Sequence, residues 1–599
     1  MAKQIPTRAD VPAAFKWHLE DIFATPAGWQ SAYDVLKGAI GSLAQYEGRL
    51  AEPAQLLACL QLCDELDQQL ERLYGYARMS SDVDTADTAA QGRFAAVLPL
   101  LDALNGAQAF IEPELLALPE ETLRQMSEAL PGLHQYAFKF QELLREKPHV
   151  LDKAQEALLA RTGELREAAH NTYTTLTNAD MQFPDTLGES GEQEPLSESR
   201  YMLYLRSSQR AVRQDAFTKL FRTYLGLRHT FASLYSSSIK ASQFIAEARH
   251  YDSMQAMALA AGNIPMRVYA TTIDVTHEHL PLLHRYTALK KRLLKVDALH
   301  GYDLYAPVVP TLAHTFPYEE GLALIQQALA PLGEQYLHDL MAGVRGGWLD
   351  LLENQNKRSG AYSWGIYGVH PFILTSYNEQ YDAVSTIIHE LGHSMHSFYS
   401  SAAQPYCTSE YTIFCAEVAS TTNENLLLEY MLAHSKDKAE RLFFLNQYLE
   451  QVRTTVYRQV LFAEFEQRTH AAVEQGQPIT ADYLEQLWLE LNATYYGAGL
   501  VLDDELRAEW SRIPHFYRPF YVYQYATGYA AAVTLSERLR TQGEPARAAY
   551  LDYLHSGGSD YSITLLQRAG VDMTSRAPLE TTFRKFAWCL DELERLLAE

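Results

Sequence analysis

One seven-residue segment constrains the fold and the chemistry of this chain more than any other: residues 387–393 are Ile-Ile-His-Glu-Leu-Gly-His. On an α-helix, at about 100° per residue, His389 and His393 lie about 40° apart, so both imidazoles can reach one ion. Glu390 lies roughly 60° to the side of His393, too far round for a natural third ligand but close enough to take a proton from an attacking water. The spacing therefore predicts a helix that holds one Zn²⁺ beside a general base, as in zinc peptidases.

Apolar residues flank this motif at spacings of three and four and form a ridge on the side opposite the histidines. They are Val384, Ile387, Leu391, Met395 and Phe398. Upstream, Ser376 and Glu379 have the spacing of a capping box, which predicts that the helix begins nearby. The segment is thus predicted to be a helix whose apolar face is buried in a core and whose polar face is turned toward a functional site. The alternative is a helix whose histidines only hydrogen-bond with their neighbours.

A catalytic zinc needs three protein ligands, and Glu417 is the candidate for the third. The segment around it is predicted to be a second helix, because Glu410, Glu417 and Glu424 recur at steps of seven and share one face. Such a stripe is usually a solvated face, but a short loop at residues 400–408 would fold this helix back beside the first. We expect Glu417 to bind the metal, Glu424 to orient a ligand histidine, and Glu410 to lie on the surface.

His396, on the same helix face as His393, is the rival third ligand. Metzincins, another H-E-x-x-H class, require the pattern H-E-x-x-H-x-x-G-x-x-H. Here His396 occupies the glycine position and Tyr399 the position of the last histidine, which excludes that class. His396 would lie one turn further along the helix, and we expect it to line the cleft rather than to bind zinc.

These motifs resemble those of oligoendopeptidase F, within the thimet-oligopeptidase-like zinc peptidases. The matching stretches are residues 389–396, 414–424, 358–365, 370–378 and 521–528, with weaker similarity at residues 74–79 and 82–85. The resemblance implies a mostly α, zincin-like fold: a nearly all-helical, two-lobed ellipsoid with an internal channel that admits only short, unfolded peptides. It also implies one Zn²⁺ on His389, His393 and Glu417, with Glu390 as the catalytic base.

A tyrosine-rich segment at residues 515–529 is the last candidate for chemistry. Such segments most often pack in cores or interfaces, but zinc-dependent peptide hydrolysis also needs a hydrogen-bond donor where the oxyanion develops. By the family resemblance, His515 and one or more of Tyr521, Tyr525 and Tyr529 fill that role.

Residues 348–377 have the strongest strand character, because they are rich in Tyr, Trp, Ile and Val and are punctuated by glycines. We expect a small β-sheet with an edge facing the zinc helix, which could bind a peptide as an added strand. Residues 181–199 interrupt the helical pattern and form either a linker or a β-hairpin in which Met202 to Leu205 are a strand. We place the domain boundary here, between an N-terminal helical lobe (residues 1–200) and a zinc metallopeptidase domain (residues 201–599).

The net charge of −24 argues against nucleic-acid or anionic-membrane partners and favours cationic peptide substrates. The chain has no run of about 18 apolar residues and no apolar N-terminal segment, so we expect neither a membrane span nor a secretory signal. Cys59 and Cys63 lie on an apolar stripe with leucines, and the five cysteines cannot all pair, which favours a cytoplasmic location. We expect short, unfolded peptides as substrates and no obligate protein partner.

Two alternative hypotheses remain. The first is a zinc exopeptidase, a helical carboxypeptidase or an aminopeptidase, in which Arg518 could hold a substrate carboxylate. The second is a non-catalytic helical scaffold with a decayed site, against which the intact ligands and base argue. The ligand set suits zinc, although Co²⁺ or Mn²⁺ could occupy it.

Overall fold

The computed structural model describes residues 5–312 and 314–599. In this part of the chain most residues are helical and the strands are short, which confirms the predicted mostly α fold. Helices α1 to α14 are Pro26–Ala39, Pro53–Asp82, Thr88–Gln108, Ile111–Leu116, Glu120–Ala129, Ala137–Glu146, Lys153–Ala160, Gly163–Thr175, Glu198–Leu205, Arg210–Leu225, Arg228–Ala248, Met254–Ala260, Met266–Glu278 and Leu280–Leu294. Helices α15 to α26 are Tyr318–Ala328, Glu334–Arg345, Tyr381–Ala403, Tyr406–Ser409, Ile413–His434, Lys438–Val452, Arg458–Glu474, Ala481–Tyr496, Tyr523–Gln542, Glu544–His555, Ser562–Arg568 and Ala577–Ala598. Strands β1 to β7 are Thr186–Leu187, Gln193–Glu194, Leu299–His300, Leu349–Asp350, Tyr362–Trp364, Phe372–Leu374 and Leu500–Val501.

The chain divides into two compact units, each assembled from segments far apart in sequence. Unit 1 comprises Met1–Pro148, Ala313–Tyr430 and Leu535–Val571, and unit 2 comprises His149–Leu312, Met431–Thr534 and Asp572–Glu599. This division differs from the single boundary expected between residues 200 and 201. Helical periodicity predicts which face of a helix is buried, but it does not predict which distant helix packs against that face. The assembly of each unit from separate segments therefore cannot be predicted from the sequence pattern.

The first segment of unit 1 has a hydrophobic core built around α2, against which α1 and α3 pack. The buried face of α2 consists of residues that are at most 7% exposed: Leu56, Cys59, Cys63, Leu66, Leu70 and Leu73. Trp29 of α1 is also buried, and its Nε1 donates a hydrogen bond to the Leu73 carbonyl oxygen at 2.9 Å. The apolar stripe that contains both cysteines is therefore a core face, as predicted.

A short hairpin interrupts the helices of unit 2, where β1 and β2 pair antiparallel. Of the two alternatives for residues 181–199, the hairpin is therefore correct. The prediction of a strand from Met202 to Leu205 is wrong, because these residues belong to α9. Ser197 precedes that helix, and its hydroxyl accepts a hydrogen bond from the Arg200 amide, a cap that favours helix over strand.

Unit 1 contains a three-stranded sheet in the order β4–β6–β5. β4 is parallel to β6, and β5 is antiparallel to β6 with Ser363 opposite Ile373. In this order β5 is an outer strand. The Ser363 hydroxyl oxygen lies 2.8 Å from that of Ser394 in α17. A small sheet therefore lies beside the helix that carries the histidine motif, as predicted.

One helical stretch of unit 1, Thr88–Leu116, is long and apolar enough to cross a membrane by length and composition alone. Core helices of water-soluble proteins pass the same test, so the stretch is weak evidence of a membrane span. Its α3 part packs against α2, with Val97, Leu100 and Leu104 buried.

Candidate metal centre

Helix α17 carries the histidine motif and is anchored by its apolar ridge. Val384, Ile387, Leu391 and Met395 are at most 1% exposed, so these four residues of the predicted ridge lie in the core. Phe398, the last residue of the predicted ridge, is only partly buried. The histidine face is turned away from this ridge, as the helical period requires.

The predicted capping box upstream of α17 is wrong. The helix begins at Tyr381, after an N-cap residue, Gln380, whose side chain makes no capping hydrogen bond. Glu379 has a left-handed backbone with φ +62°, and its carbonyl oxygen accepts a hydrogen bond from the Phe316 amide at 2.8 Å. Glu379 is therefore fixed in a loop by a tertiary contact, which a local spacing rule does not detect.

Three side chains that the sequence singles out come together on this face: His389, His393 and Glu417. The two Nε2 atoms are 3.2 Å apart, and Glu417 Oε2 lies 3.4 Å from Nε2 of His389 and 3.6 Å from Nε2 of His393. Atoms that share one tetrahedral zinc at about 2.0–2.1 Å are about 3.3 Å apart. The spacings and the His₂Glu donor set therefore fit one zinc ion.

Glycine at position 392 lets the second helix, α19, come close enough to supply Glu417. A Cβ at Gly392 would lie 2.5 Å from the Ser420 Cα and 2.9 Å from the Ala419 carbonyl oxygen. These are backbone atoms of α19, which cannot move aside as a side-chain end can. Gly392 is not among the predicted site residues, although a glycine inside an otherwise strong helix pattern is a signal of close packing.

Carboxylate and hydroxyl groups of α19 support the candidate ligands. Glu424 Oε1 lies 3.3 Å from Nδ1 of His389, on the opposite side of the ring from the cluster. A carboxylate in that position favours the imidazole tautomer whose Nε2 is free to bind a metal. The Ser420 hydroxyl lies 3.2 Å from Glu417 Oε2 and donates to it, and Asn423 Nδ2 donates to the Ile388 carbonyl oxygen at 3.3 Å.

The charges of the cluster suit a cation. Burial raises the pKa of Glu417, but its contact with His393 and the charges of both histidines outweigh burial and hold the pKa at about 2. Burial lowers the pKa of His389, whereas Glu424 and the neighbouring carboxylates raise it more, to about 9. A metal ion would replace the proton that His389 otherwise attracts.

Glu390 lies beside these ligands on α17 and is only 7% exposed. Burial raises the pKa of Glu390, and the charges of His389 and His393 offset this rise only in part. A buried carboxylate with a raised pKa accepts a proton more readily than an exposed one. Such an environment suits a proton acceptor.

His396 does not line a cleft, so that expectation is wrong. Its side chain is 1% exposed, and its ring stacks on Tyr411 at a centroid distance of 3.6 Å. Burial lowers the pKa of His396 to about 3. The Tyr411 hydroxyl lies 2.9 Å from the Ser397 hydroxyl and 3.4 Å from the His393 carbonyl oxygen. The segment between α18 and α19 thus buries His396, a position that helical periodicity alone predicts to be exposed. Glu410, in the same segment, is exposed as expected.

A cavity of about 410 Å³ lies in unit 1 along the second half of α17. Ser397 and Ser401 line it, about one and two turns beyond His393 on the same helix face. Strand β5, aromatic rings and two carboxylates form the other walls, with Ser363, Trp364, Tyr406, Glu71 and Glu410 among the lining residues. The outer strand β5 and this cavity therefore lie on the same side of α17 within unit 1.

Three of the four expected oxyanion donors form a cluster within unit 2. His515 Nε2 lies 3.4 Å from the Tyr525 hydroxyl. The rings of His515 and Tyr521 are stacked at a centroid distance of 6.2 Å, and those of Tyr521 and Tyr525 meet edge to face at 5.4 Å. Burial and then the charge of Arg518 lower the pKa of His515, which favours a neutral imidazole.

Tyr529 has a different environment from this cluster. It is 4% exposed, its hydroxyl lies 3.4 Å from Gln451 Oε1, and its ring faces Tyr448. These are the contacts of a core tyrosine.

A mostly helical fold that clusters two histidines and a glutamate beside a buried glutamate is typical of a metallopeptidase. The sequence model of peptidase family M3 matches residues 203–585, and that of oligopeptidase F matches residues 114–183. The chain belongs to peptidase family M3 and is a metalloendopeptidase.

Several proteins resemble the chain over nearly its whole length. Oligopeptidase PepF of Bacillus subtilis is 42% identical over 597 residues, which cover 100% of this chain and 89% of that protein. Group B oligopeptidase PepB of Streptococcus agalactiae is 39% identical over 593 residues, covering 99% and 98%. The crystal structure of oligoendopeptidase-F from Enterococcus faecium superposes with a TM-score of 0.76 at 37% identity, covering 95% of this chain and 98% of that one.

Proposed function

We propose that this protein is a zinc-dependent endopeptidase that hydrolyses internal bonds of short, unfolded oligopeptides. His389, His393 and Glu417 would hold one Zn²⁺, and Glu390 would be the general base. The observation that supports the proposal best is the approach of three ligand atoms to within 4.8 Å of one another, with the buried Glu390 next to them. The names of the full-length relatives, both oligopeptidases, agree with it.

Each residue of the centre has a part in peptide hydrolysis. When bound, the ion polarises the scissile carbonyl group and makes water more acidic. Glu390 removes a proton from the attacking water as the new C–O bond forms. It then gives that proton to the nitrogen of the leaving amine, after which the C–N bond breaks. Glu424 keeps the His389 ring in its ligating orientation throughout.

The outer strand β5 would hold the substrate backbone. A peptide paired with β5 as an added strand makes main-chain hydrogen bonds that do not depend on its side chains. The cavity beside Ser397 and Ser401 has room for a neighbouring substrate side chain. Broad sequence tolerance follows, and the selection of short peptides by an internal channel stays a prediction.

The donors of unit 2 would stabilise the oxyanion. A neutral imidazole and a phenol can both donate a hydrogen bond to a developing negative charge. His515, Tyr521 and Tyr525 are mutually in contact, so we assign the role to this cluster rather than to Tyr529.

A cytoplasmic location is also part of the proposal. None of the five cysteines, all within the described residues, forms a disulfide, which suits a reducing compartment. The acidic net charge gives no basis for nucleic-acid binding. Cell fractionation with a periplasmic and a cytoplasmic marker enzyme would test the location.

A quenched fluorescent peptide blocked at both termini tests the endopeptidase assignment. Cleavage of the blocked peptide, abolished by a chelator and restored by Zn²⁺, is the expected result. The same peptide with free termini serves as the control. Cleavage of only the free-ended peptide, one residue at a time by mass spectrometry, would instead identify an exopeptidase. A zinc-loaded protein that cleaves neither peptide would favour the non-catalytic scaffold.

A further inference from the structure

Helix α21 of unit 2 carries a carboxyl group in an environment without a compensating charge. Glu466 is 0% exposed. Its Oε1 accepts a hydrogen bond from the Phe520 amide at 2.6 Å, and its Oε2 is buried with no hydrogen-bond partner. Burial raises the pKa of Glu466 well above the usual range. Acidic side chains are rarely buried without an ion pair, and here no cationic side chain of the described residues forms one with Glu466.

The partner of this carboxyl group has an unusual backbone. Phe520 has φ +55°, the left-handed region that residues with a Cβ seldom adopt. Its side chain is 3% exposed and packs against His470, at a centroid distance of 4.7 Å, and against Tyr269, at 5.8 Å. A buried amide needs a hydrogen-bond acceptor. Glu466 supplies this acceptor at Phe520, the residue whose positive φ is unfavourable for a side chain with a Cβ.

His470, one turn after Glu466 on α21, packs against the Phe520 ring. Its Nδ1 donates to the Glu466 carbonyl oxygen at 2.8 Å, and the residue is 1% exposed. Burial lowers the pKa of His470 to about 4. The ring is therefore neutral at neutral pH and forms an apolar cover over Phe520.

The left-handed residue lies in the middle of the donor cluster. Tyr521 follows Phe520 directly, and His515 and Tyr525 lie on either side of it in the sequence. A change of φ at Phe520 would swing the following peptide and move the Tyr521 ring away from its contacts with His515 and Tyr525. The geometry of the cluster therefore depends on one backbone angle, and that angle is held from α21.

We propose that Glu466 is a positioning residue for peptide hydrolysis: its buried carboxyl group holds the Phe520 amide and thereby places Tyr521 against His515 and Tyr525. The inference rests on the proposed function, because it assigns the cluster a role in the reaction. Glu466 itself does not touch the reacting atoms.

Two substitutions at this position separate positioning from folding. Glu466→Gln keeps a neutral acceptor oxygen of the same shape, so kcat should stay within about threefold of the wild-type value. Glu466→Met keeps the volume but removes the acceptor, so kcat for the blocked peptide should fall by about tenfold or more, with zinc content unchanged and KM little changed. Glu464→Leu on the same helix is the control, because it breaks the 2.7 Å pair with His277 but makes no contact with Phe520. It should lower the melting temperature and leave kcat unchanged.

Replacing Phe520 tests whether Glu466 acts through this residue. Glycine adopts positive φ without a penalty, so Glu466→Met should reduce kcat less in a Phe520→Gly protein than in the wild type. Equal losses in the two backgrounds would overturn the inference, as would a folded Glu466→Met enzyme with full kcat. If wild-type protein does not cleave the peptide at all, the proposed function fails instead.

Amide hydrogen exchange in the wild-type protein measures the contact between Glu466 and the Phe520 amide directly. It therefore tests the inference even if Glu466→Met does not fold. The Phe520 amide should be protected to the same extent as amides within α21. Exchange at the rate of an open loop would overturn the inference.

Discussion

Gly392 of α17 lies against Ser420 of α19 so closely that a Cβ at residue 392 would be 2.5 Å from the Ser420 Cα. Two of the candidate ligands are on the first helix and the third is on the second. Their convergence therefore depends on this contact between backbones, which only glycine allows.

We predict that Gly392→Ala forces the two helices apart. The free energy of unfolding should fall by about 1–3 kcal/mol, as for other overpacked cores, and zinc affinity should fall because Glu417 moves away from the histidines. Urea unfolding and competition with a zinc chelator measure the two effects. Gly38→Ala is the control, because a Cβ there meets nothing within 4 Å and alanine is the better helix former. Zinc affinity equal to that of the wild type in Gly392→Ala would contradict the prediction.

Glu417→Ala should reduce zinc affinity while the fold is kept. The substitution removes the only carboxylate oxygen of the three-residue cluster, and a metal with two ligands is held weakly. Atomic absorption after dialysis should find much less than one zinc per chain, with an unchanged far-UV circular dichroism spectrum. Glu410→Ala, on an exposed residue, is the matched control and should keep its zinc. Stoichiometric zinc in Glu417→Ala would assign the third ligand to another residue.

Glu424→Gln should weaken zinc binding without removing a ligand. The carboxylate lies 3.3 Å from Nδ1 of His389, and loss of such a supporting group typically costs 10–100-fold in metal affinity. Chelator competition measures the change. A Glu424→Gln protein with wild-type affinity would show that the histidine is oriented by other contacts.

The carboxyl group of Glu71 should make stability depend on pH. Burial raises the pKa of Glu71 to about 7, and the charge of Glu410 acts in the same direction. In the unfolded chain the pKa is about 4.3. Because the folded value is the higher one, the unfolded state gives up its proton first. The stability that the protonated group contributes is therefore fully present below about pH 4 and is lost as pH rises toward 7.

Glu71→Gln removes this dependence. Its free energy of unfolding should exceed that of the wild type by about 1–3 kcal/mol at pH 8 and by about 1 kcal/mol or less at pH 5. Urea unfolding at both pH values measures the difference, with Glu65→Gln, an exposed residue of α2, as the control. The same difference at both pH values would rule out titration of Glu71 as its cause.

Local periodicity predicts the parts of this protein that depend on one helix or strand. The apolar ridge from Val384 to Met395 and the core face with Cys59 and Cys63 follow from spacings of three and four. The small sheet near α17 follows from the richness of residues 348–377 in Tyr, Trp, Ile and Val and from the glycines among them. The approach of Glu417 to the histidines is expected from two helical periods and a short connection between them. The loop predicted at residues 400–408 is wrong in detail, because α17 continues to Ala403 and Tyr406–Ser409 form α18. Glu410 precedes α19 and does not share a helix face with Glu417 and Glu424.

The features that the sequence does not reveal depend on tertiary contacts. Glu379 belongs to a loop because Phe316 binds its carbonyl oxygen, and His396 is covered because Tyr411 stacks on it. The assembly of each unit from three separate segments and the contact of Glu466 with Phe520 join positions far apart in the chain. No local pattern specifies such pairs, since each helix shows only that it has a buried face.

The assignment of Glu390 as the base leads to the most specific prediction at the site. Glu390→Gln keeps the volume of the side chain but cannot accept a proton, so cleavage should fall by a factor of about 10² or more. All three candidate ligands remain, so zinc should stay bound. Asp382→Asn, an exposed residue in the first turn of the same helix, should leave both quantities unchanged.

The proposed mechanism requires one ion held by two histidines and a glutamate, together with a separate proton acceptor. Its sharpest test is to measure zinc content and cleavage of the doubly blocked peptide on a single preparation of Glu390→Gln. We expect one zinc per chain and almost no cleavage. Stoichiometric zinc together with substantial cleavage would exclude Glu390 as the base.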